Sequence, residues 1–117
     1  MQYAILFYSP GNVVDSLPAA ERDAWYAEMT AWREELQRAG VFRTSMRLRG
    51  VDTATSLRRQ GGNMLVTDGP FAETKEILGG LAVIECSDLD QALAWARRCP
   101  IVRIGTVEVR PEFAAPR

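Results

Sequence analysis

The sequence predicts an α+β fold: a ferredoxin-like βαββαβ order with an inserted hairpin. Three observations lead there. Segments 2–8 and 81–84 are apolar on both alternating faces, as in strands covered on both sides. Two other stretches repeat their apolar residues at helical spacing, between start and stop signals. Between two short strand-like runs, Gly61-Gly62-Asn63 supplies a tight turn.

Along the chain, Tyr3, Ile5 and Phe7 share one face of the first strand, and Ala4, Leu6 and Tyr8 the other. After the Pro10-Gly11-Asn12 turn, a helix is expected from about Pro18 to Ala39. Pro18 suits a first helical turn, Glu21 and Asp23 suit the positive end, and Gly40 stops it. Its apolar stripe is Trp25, Met29, Trp32, Leu36 and Ala39, for which core packing is a simpler account than a ligand box. Strands are expected near 41–48, 54–59 and 63–67, then over Leu81-Ala82-Val83-Ile84. Ser87-Asp88-Leu89-Asp90 has the form of a capping box opening a helix to about Arg98, with Leu89, Leu93 and Ala96 inward. Arg97 and Arg98 favour its negative end, and Pro100 lies past the stop. The last strand, Thr106 to Arg110, sets Val107 and Val109 against Thr106, Glu108 and Arg110; the tail Ala114-Ala115-Pro116-Arg117 is expected to be loose.

Right-handed crossovers place both helices on one face of the sheet. The central strands are apolar on the other face too, and no element remains to cover it. Such a face marks an interface, and a symmetric homodimer with sheets packed face to face, leaving a cavity between or beside them, is the economical solution.

Composition narrows the function classes. One domain over 1–117, with 47% hydrophobic and 25% charged residues, can bury a sizeable core. No apolar run approaches a membrane span, and the start has neither a basic region nor a cleavage site, so no membrane association or secretion signal is expected. The chain has no histidine, which excludes histidine triads, histidine-ligated metals and imidazole acid–base catalysis. Basic and acidic residues balance at 14 against 15, so nucleic acid is not an expected partner. Arg43, Arg47 and Arg49 alternate onto one strand face, and with Arg58 and Arg59 they are taken as solvated. Cys86 and Cys99 form no metal-binding spacing, so no metal or other cofactor is expected. Both are read as small buried hydrophobes in a reducing cytoplasm.

The densest local signal is Asp68-Gly69-Pro70-Phe71-Ala72-Glu73-Thr74-Lys75-Glu76, followed by Ile77-Leu78-Gly79-Gly80. Gly69 admits a backbone conformation closed to other residues, Pro70 removes a donor, and Asp68 is placed to accept from the freed amides. Phe71 is expected to plug the turn into the core. Glu73, Lys75 and Glu76 bring both signs of charge into one stretch, and Gly79-Gly80 permits close approach of a backbone or ligand.

At these residues the chain resembles the YCII-related family, in the subgroup named for its Asp-Gly-Pro-Phe motif (DGPF). Supporting matches run from the strand ending at Tyr8, through Leu17-Pro18, Ala39-Gly40-Val41 and the Asp88 to Ala96 helix, to Cys99-Pro100 and Gly105-Thr106-Val107-Glu108-Val109-Arg110-Pro111. The resemblance implies a dimeric α+β barrel. Better-known YCII-like relatives use a histidine–aspartate pair, and one branch removes chloride from a chlorinated hydroxyquinol; this chain has no histidine for such a pair. A Gly-Glu-x-Leu-like stretch of the subgroup reads Ser45-Met46-Arg47-Leu48 here, without its carboxylate.

Two functions fit these residues. One is a cofactor-independent enzyme of lyase or isomerase type acting on a small anionic or cyclic molecule. Asp68 is then the base or orienting acid and Glu73 the second carboxylate; Lys75 and Arg110 hold negative charge, and Gly69 and Pro70 shape the substrate site. Such a base works near neutrality once burial raises its pKa by about two units. The alternative is a non-catalytic dimer that binds a metabolite or a protein, in the sigma-factor-linked regulation that the subgroup's gene neighbourhoods imply.

Overall fold

The structure is a computed structural model that describes residues 1–11 and 13–114. Asn12 of the first turn and residues 115–117 of the tail lie outside the described residues. Strands β1 (Gln2–Pro10), β2 (Phe42–Arg47), β3 (Thr55–Gln60), β4 (Asn63–Asp68), β5 (Glu76–Glu85) and β6 (Thr106–Pro111) alternate with helices α1 (Ala19–Arg38) and α2 (Leu89–Arg97). A four-stranded antiparallel sheet runs β2-β5-β1-β6, and β3 pairs only with β4 in a separate hairpin. That is the ferredoxin-like order with the hairpin inserted between β2 and β5.

The core lies on one face of the sheet. Tyr3, Ile5 and Phe7 of β1 and Ala82 and Ile84 of β5 are buried against Trp25, Trp32 and Leu36 of α1 and Ala92 and Ala96 of α2. The Phe7 and Trp32 rings meet edge to face at 5.9 Å, and Trp32 Nε1 donates to the Trp95 carbonyl at 3.0 Å, which satisfies its buried polar atom. Close approach of strands requires glycine at Gly80, where a Cβ would stand 2.8 Å from the Met46 carbonyl and 3.3 Å from the Phe7 ring. Gly79 is the extra residue at the register shift between Phe7↔Gly80 and Tyr8↔Leu78, a β-bulge.

Helix α1 ends as expected at Gly40 (φ 76°). Val41 N donates to Leu36 O and Gly40 N to Gln37 O, the paired bonds that satisfy the last carbonyls. Ala39 nevertheless lies in solvent, because the buried stripe stops at Leu36. The α2 cap also differs from expectation. Asp88, not Ser87, is the cap: its Oδ1 accepts from Gln91 N at 2.9 Å, while Gln91 Oε1 accepts from Ser87 N at 2.9 Å. The buried positions are therefore Ala92 and Ala96, with Leu93 half-buried and Leu89 exposed in the first turn. Small inward residues let α2 approach the sheet closely. Glu35 with Arg98 and Glu28 with Arg103 link α1 to the segment after α2, where Arg98 stacks on Trp95 and Arg103 on Trp25. Among the described residues, no helix is long and apolar enough to cross a membrane.

Candidate functional site

The register arranges the outer face of the sheet in rows. Val83, Ala4 and Arg110 lie side by side on β5, β1 and β6; Leu81, Leu6 and Glu108 form the next row, and Leu78, Tyr8 and Thr106 the third. Ala4, Leu6, Tyr8, Leu81 and Val83 are only half-buried, since neither helix reaches this face. A shallow depression of about 430 Å³ opens there: Ala4, Leu6 and Val83 line it together with Arg110, Pro111 and Glu112. At the opposite end of the face, Thr106 Oγ1 donates to Glu76 Oε2 at 2.8 Å.

The Asp-Gly-Pro-Phe segment lies elsewhere, at the base of the hairpin. Gly61 (φ 58°) and Gly62 (φ 82°) form its two-residue turn, with both backbones in the left-handed region that this tight turn needs. Gly69 (φ 103°) turns the chain after Asp68; its amide donates to Ala54 O at 2.7 Å and its carbonyl accepts from Ser56 Oγ at 2.7 Å. Backbone and Ser56 thus hold this turn. Asp68 does not cap it: the carboxylate, exposed at the end of β4, has no hydrogen-bond partner among the described residues. Phe71 also departs from expectation, being 81% exposed instead of entering the core. The physical reason is placement: β3 and β4 pair only with each other, apart from the sheet and helices that enclose the core, so the ring has no buried layer to enter. Pro70 and Phe71 instead line an open groove of about 530 Å³ with Ser56, Arg58, Leu65 and Thr67. Glu73 and Lys75 are exposed. Of the residues singled out in the sequence, Pro70 lines the hairpin groove and Arg110 the sheet depression; Asp68, Gly69, Glu73 and Lys75 line neither.

One polar cluster escaped the sequence reading. Arg47 donates to the Tyr26 hydroxyl at 2.5 Å and to Asp15 at 3.3 Å, with its guanidinium 5.0 Å from the Tyr26 ring centre. The Tyr26 hydrogen bond, with help from Asp15, raises the Arg47 pKa above its ordinary value against desolvation. The arginines therefore do not form one face. Arg47 points to the helix side, Arg43 falls at the register shift between Phe42 and Thr44 and bonds to Gly40 O and Phe42 O, and Arg49 lies beyond β2. The aligned helical position of Tyr26 was visible in the sequence, but its contact with a strand distant along the chain was not.

Both cysteines are buried and free, and burial pushes their thiols up, Cys99 to about 11. This removes Cys99 as a nucleophile, because the thiolate is the reactive form. An unfolded thiol titrates near 9.0 and the folded one near 11, so the unfolded chain binds fewer protons in between and stability falls as pH rises through that window. The expected slope is about 1.4 kcal/mol per pH unit. Urea unfolding at stepped pH checks it: the Cys99→Ala chain loses this component of the slope, and an unchanged slope refutes the assignment.

Comparison with known proteins places these features in a family. The model of the YCII-related domain matches residues 1–113. An uncharacterised protein of Rhizobium meliloti (strain 1021) is 36% identical over 113 residues, covering 95% of this chain and 91% of its own length. Among solved structures, the 5-chloro-2-hydroxyhydroquinone dehydrochlorinase of Burkholderia phenoliruptrix AC1100, in complex with 2,5-dihydroxybenzoquinone, superposes with a TM-score of 0.56. It covers 98% of this chain and 96% of that one at 14% identity, a likeness of fold. With the domain model spanning both helices and all six strands, the chain belongs to the YCII-related family.

Proposed function

We propose that the chain forms a homodimer enclosing a pocket for a small anionic organic molecule, and acts on that molecule without a cofactor. Within its family, the Asp68-Gly69-Pro70-Phe71 motif assigns it to the DGPF subgroup. The observation that carries this reading is the depression on the uncovered sheet face, where an apolar floor of Ala4, Leu6 and Val83 is rimmed by the Arg110 guanidinium. An apolar floor with a cation at its rim, beside the Glu112 carboxylate, suits a flat ring that carries a negatively charged group toward Arg110. Lys75 is the second anion-holding group, Gly69 and Pro70 shape the wall, and Asp68 moves a proton with Glu73 as second carboxylate. A second copy laid on the sheet face supplies the dry surroundings such a base needs. The alternative, a non-catalytic dimer binding a metabolite or a regulatory protein, is favoured by the solvent exposure of Asp68 and Glu73 in the single chain.

2,5-Dihydroxybenzoquinone, the molecule bound by the structural neighbour, is the first probe. Titration calorimetry is expected to detect its binding, and Arg110→Ala to weaken that binding about 10-fold or more, the worth of a charge-assisted hydrogen bond. Equal affinity of the two proteins would remove Arg110 from the site. Once a converted compound is found, Asp68→Asn separates the readings: turnover lost with binding kept supports catalysis, and turnover kept eliminates Asp68 as the base.

A further inference from the structure

The hairpin carries a groove of its own, separate from the sheet face. Strand alternation sends every second side chain of β3 and β4 to one side, where the register sets Ser56 beside Thr67 and Arg58 beside Leu65. The turn after β4 is tied back to the start of this hairpin. Gly69 takes a left-handed conformation (φ 103°), its amide donates to Ala54 O, and its carbonyl accepts from Ser56 Oγ. Pro70, whose ring fixes one backbone angle, leads from that turn to Phe71. Pro70 and Phe71 therefore meet Ser56, Arg58, Leu65 and Thr67 around one opening of about 530 Å³.

The lining selects an occupant. The volume falls within the roughly 300–1,000 Å³ of small-molecule sites. Arg58 is the one charged residue lining the groove, and it forms no ion pair among the described residues. The groove is thus positive, whereas in the sheet depression Glu112 stands beside Arg110. One cation balances one negative charge, and a planar guanidinium takes a carboxylate through two parallel N–H···O bonds. Phe71 and Leu65, 81% and 43% exposed, hold apolar surface open beside that cation, which a flat ring would cover.

We infer that this groove binds a planar aromatic carboxylate. Arg58 holds the carboxylate, Phe71 and Leu65 pack on the ring, and Thr67 supplies a hydroxyl for a polar substituent. The Asp-Gly-Pro-Phe motif acquires a task here, since Gly69 and Pro70 set the turn that brings Phe71 alongside Arg58. The site lies within one chain and shares no lining residue with the sheet depression.

2-Naphthoate is the probe, titrated into isotope-labelled chain and followed by nuclear magnetic resonance. Saturable shifts at Leu65, Thr67 and Phe71 are expected. Arg58→Gln weakens this binding about 10-fold or more, and 2-naphthamide, with the same rings and no charge, binds the unaltered chain more weakly by a similar factor. Phe71→Ala weakens 2-naphthoate binding roughly 5-fold. Both substitutions fall on exposed side chains, and circular dichroism verifies that each variant is folded. Equal affinity of Arg58→Gln, or of the amide, refutes recognition of the carboxylate by Arg58. Shifts confined to Leu6 and Val83 place the probe in the sheet depression alone, and no shifts at millimolar 2-naphthoate leave the groove without this ligand; either result overturns the site. Movement of the Leu65 and Phe71 resonances on dilution of the ligand-free chain gives the groove to a second copy and overturns it as well. None of these results refutes the sheet-face reading, which Arg110→Ala tests by itself.

Discussion

Trp32→Ala lowers the stability of the fold by about 3–5 kcal/mol, the usual cost of deleting a buried tryptophan. Trp32 is 5% exposed and joins three elements of the packing: its ring meets Phe7 of β1 edge to face, its indole N–H donates to the Trp95 carbonyl in α2, and its backbone belongs to α1. Removing the ring leaves a cavity where these elements meet and deletes the hydrogen bond that ties α1 to the Trp95 carbonyl. Against a total stability of about 5–15 kcal/mol for a domain, that loss approaches unfolding. Denaturant titration followed by far-ultraviolet circular dichroism measures it. Trp32→Phe separates the parts, since it keeps most of the apolar volume and loses the hydrogen bond, for an expected cost of about 1 kcal/mol plus the smaller ring's lost contacts. A loss below 1 kcal/mol for Trp32→Ala would show that the packing of β1, α1 and α2 does not depend on this ring.

Gly105→Ala is expected to be as damaging for the opposite reason. A Cβ there would lie 2.0 Å from the Tyr8 carbonyl oxygen and 2.9 Å from Ser9 Cα. Both are backbone atoms of β1, which is held on one side by β5 and on the other by β6, so no side chain can swing away to make room. Overpacking against rigid backbone costs about 3 kcal/mol, and occasionally more. Gly79→Ala is the internal control, because its Cβ meets nothing within 4 Å; a change within about 1 kcal/mol is expected there. The two variants unfold at well-separated denaturant concentrations if the close approach of Gly105 to β1 is the cause. Equal midpoints would refute it.

The elements themselves were legible because their signals are local. Trp25, Trp32 and Leu36 recur at helical spacing, Gly40 can take the positive φ that ends α1, and Gly61-Gly62 can form the two-residue hairpin turn. The doubly apolar runs marked β1 and β5 as the central pair of the sheet, where they lie. Errors arose where a residue's role depends on what lies beside it in space. Leu89 has the right chemistry for burial but stands in the first turn of α2, ahead of the small residues that touch the sheet. Phe71 is as hydrophobic as Phe7, yet one is exposed and the other buried, because only one has the helix layer in front of it. Asp68 has the type of a turn cap, but Ser56 and the Ala54 carbonyl, brought alongside by the hairpin register, take the bonds around Gly69.

The candidate site divides the same way. Sequence alone determined the element order, the two-sided apolar strands, the motif from Asp68 to Gly80 and, by the lack of histidine, the exclusion of imidazole chemistry. Only the tertiary structure decided that Arg110 shares a row with Ala4 and Val83, that Arg47 meets Tyr26, and that the motif and Arg110 stand at opposite ends of the sheet. Periodicity and turn chemistry act over a few residues and can be read along the chain. Rows across a sheet are made by strand register between segments far apart in sequence, and a side chain acquires its neighbours only when that register is set.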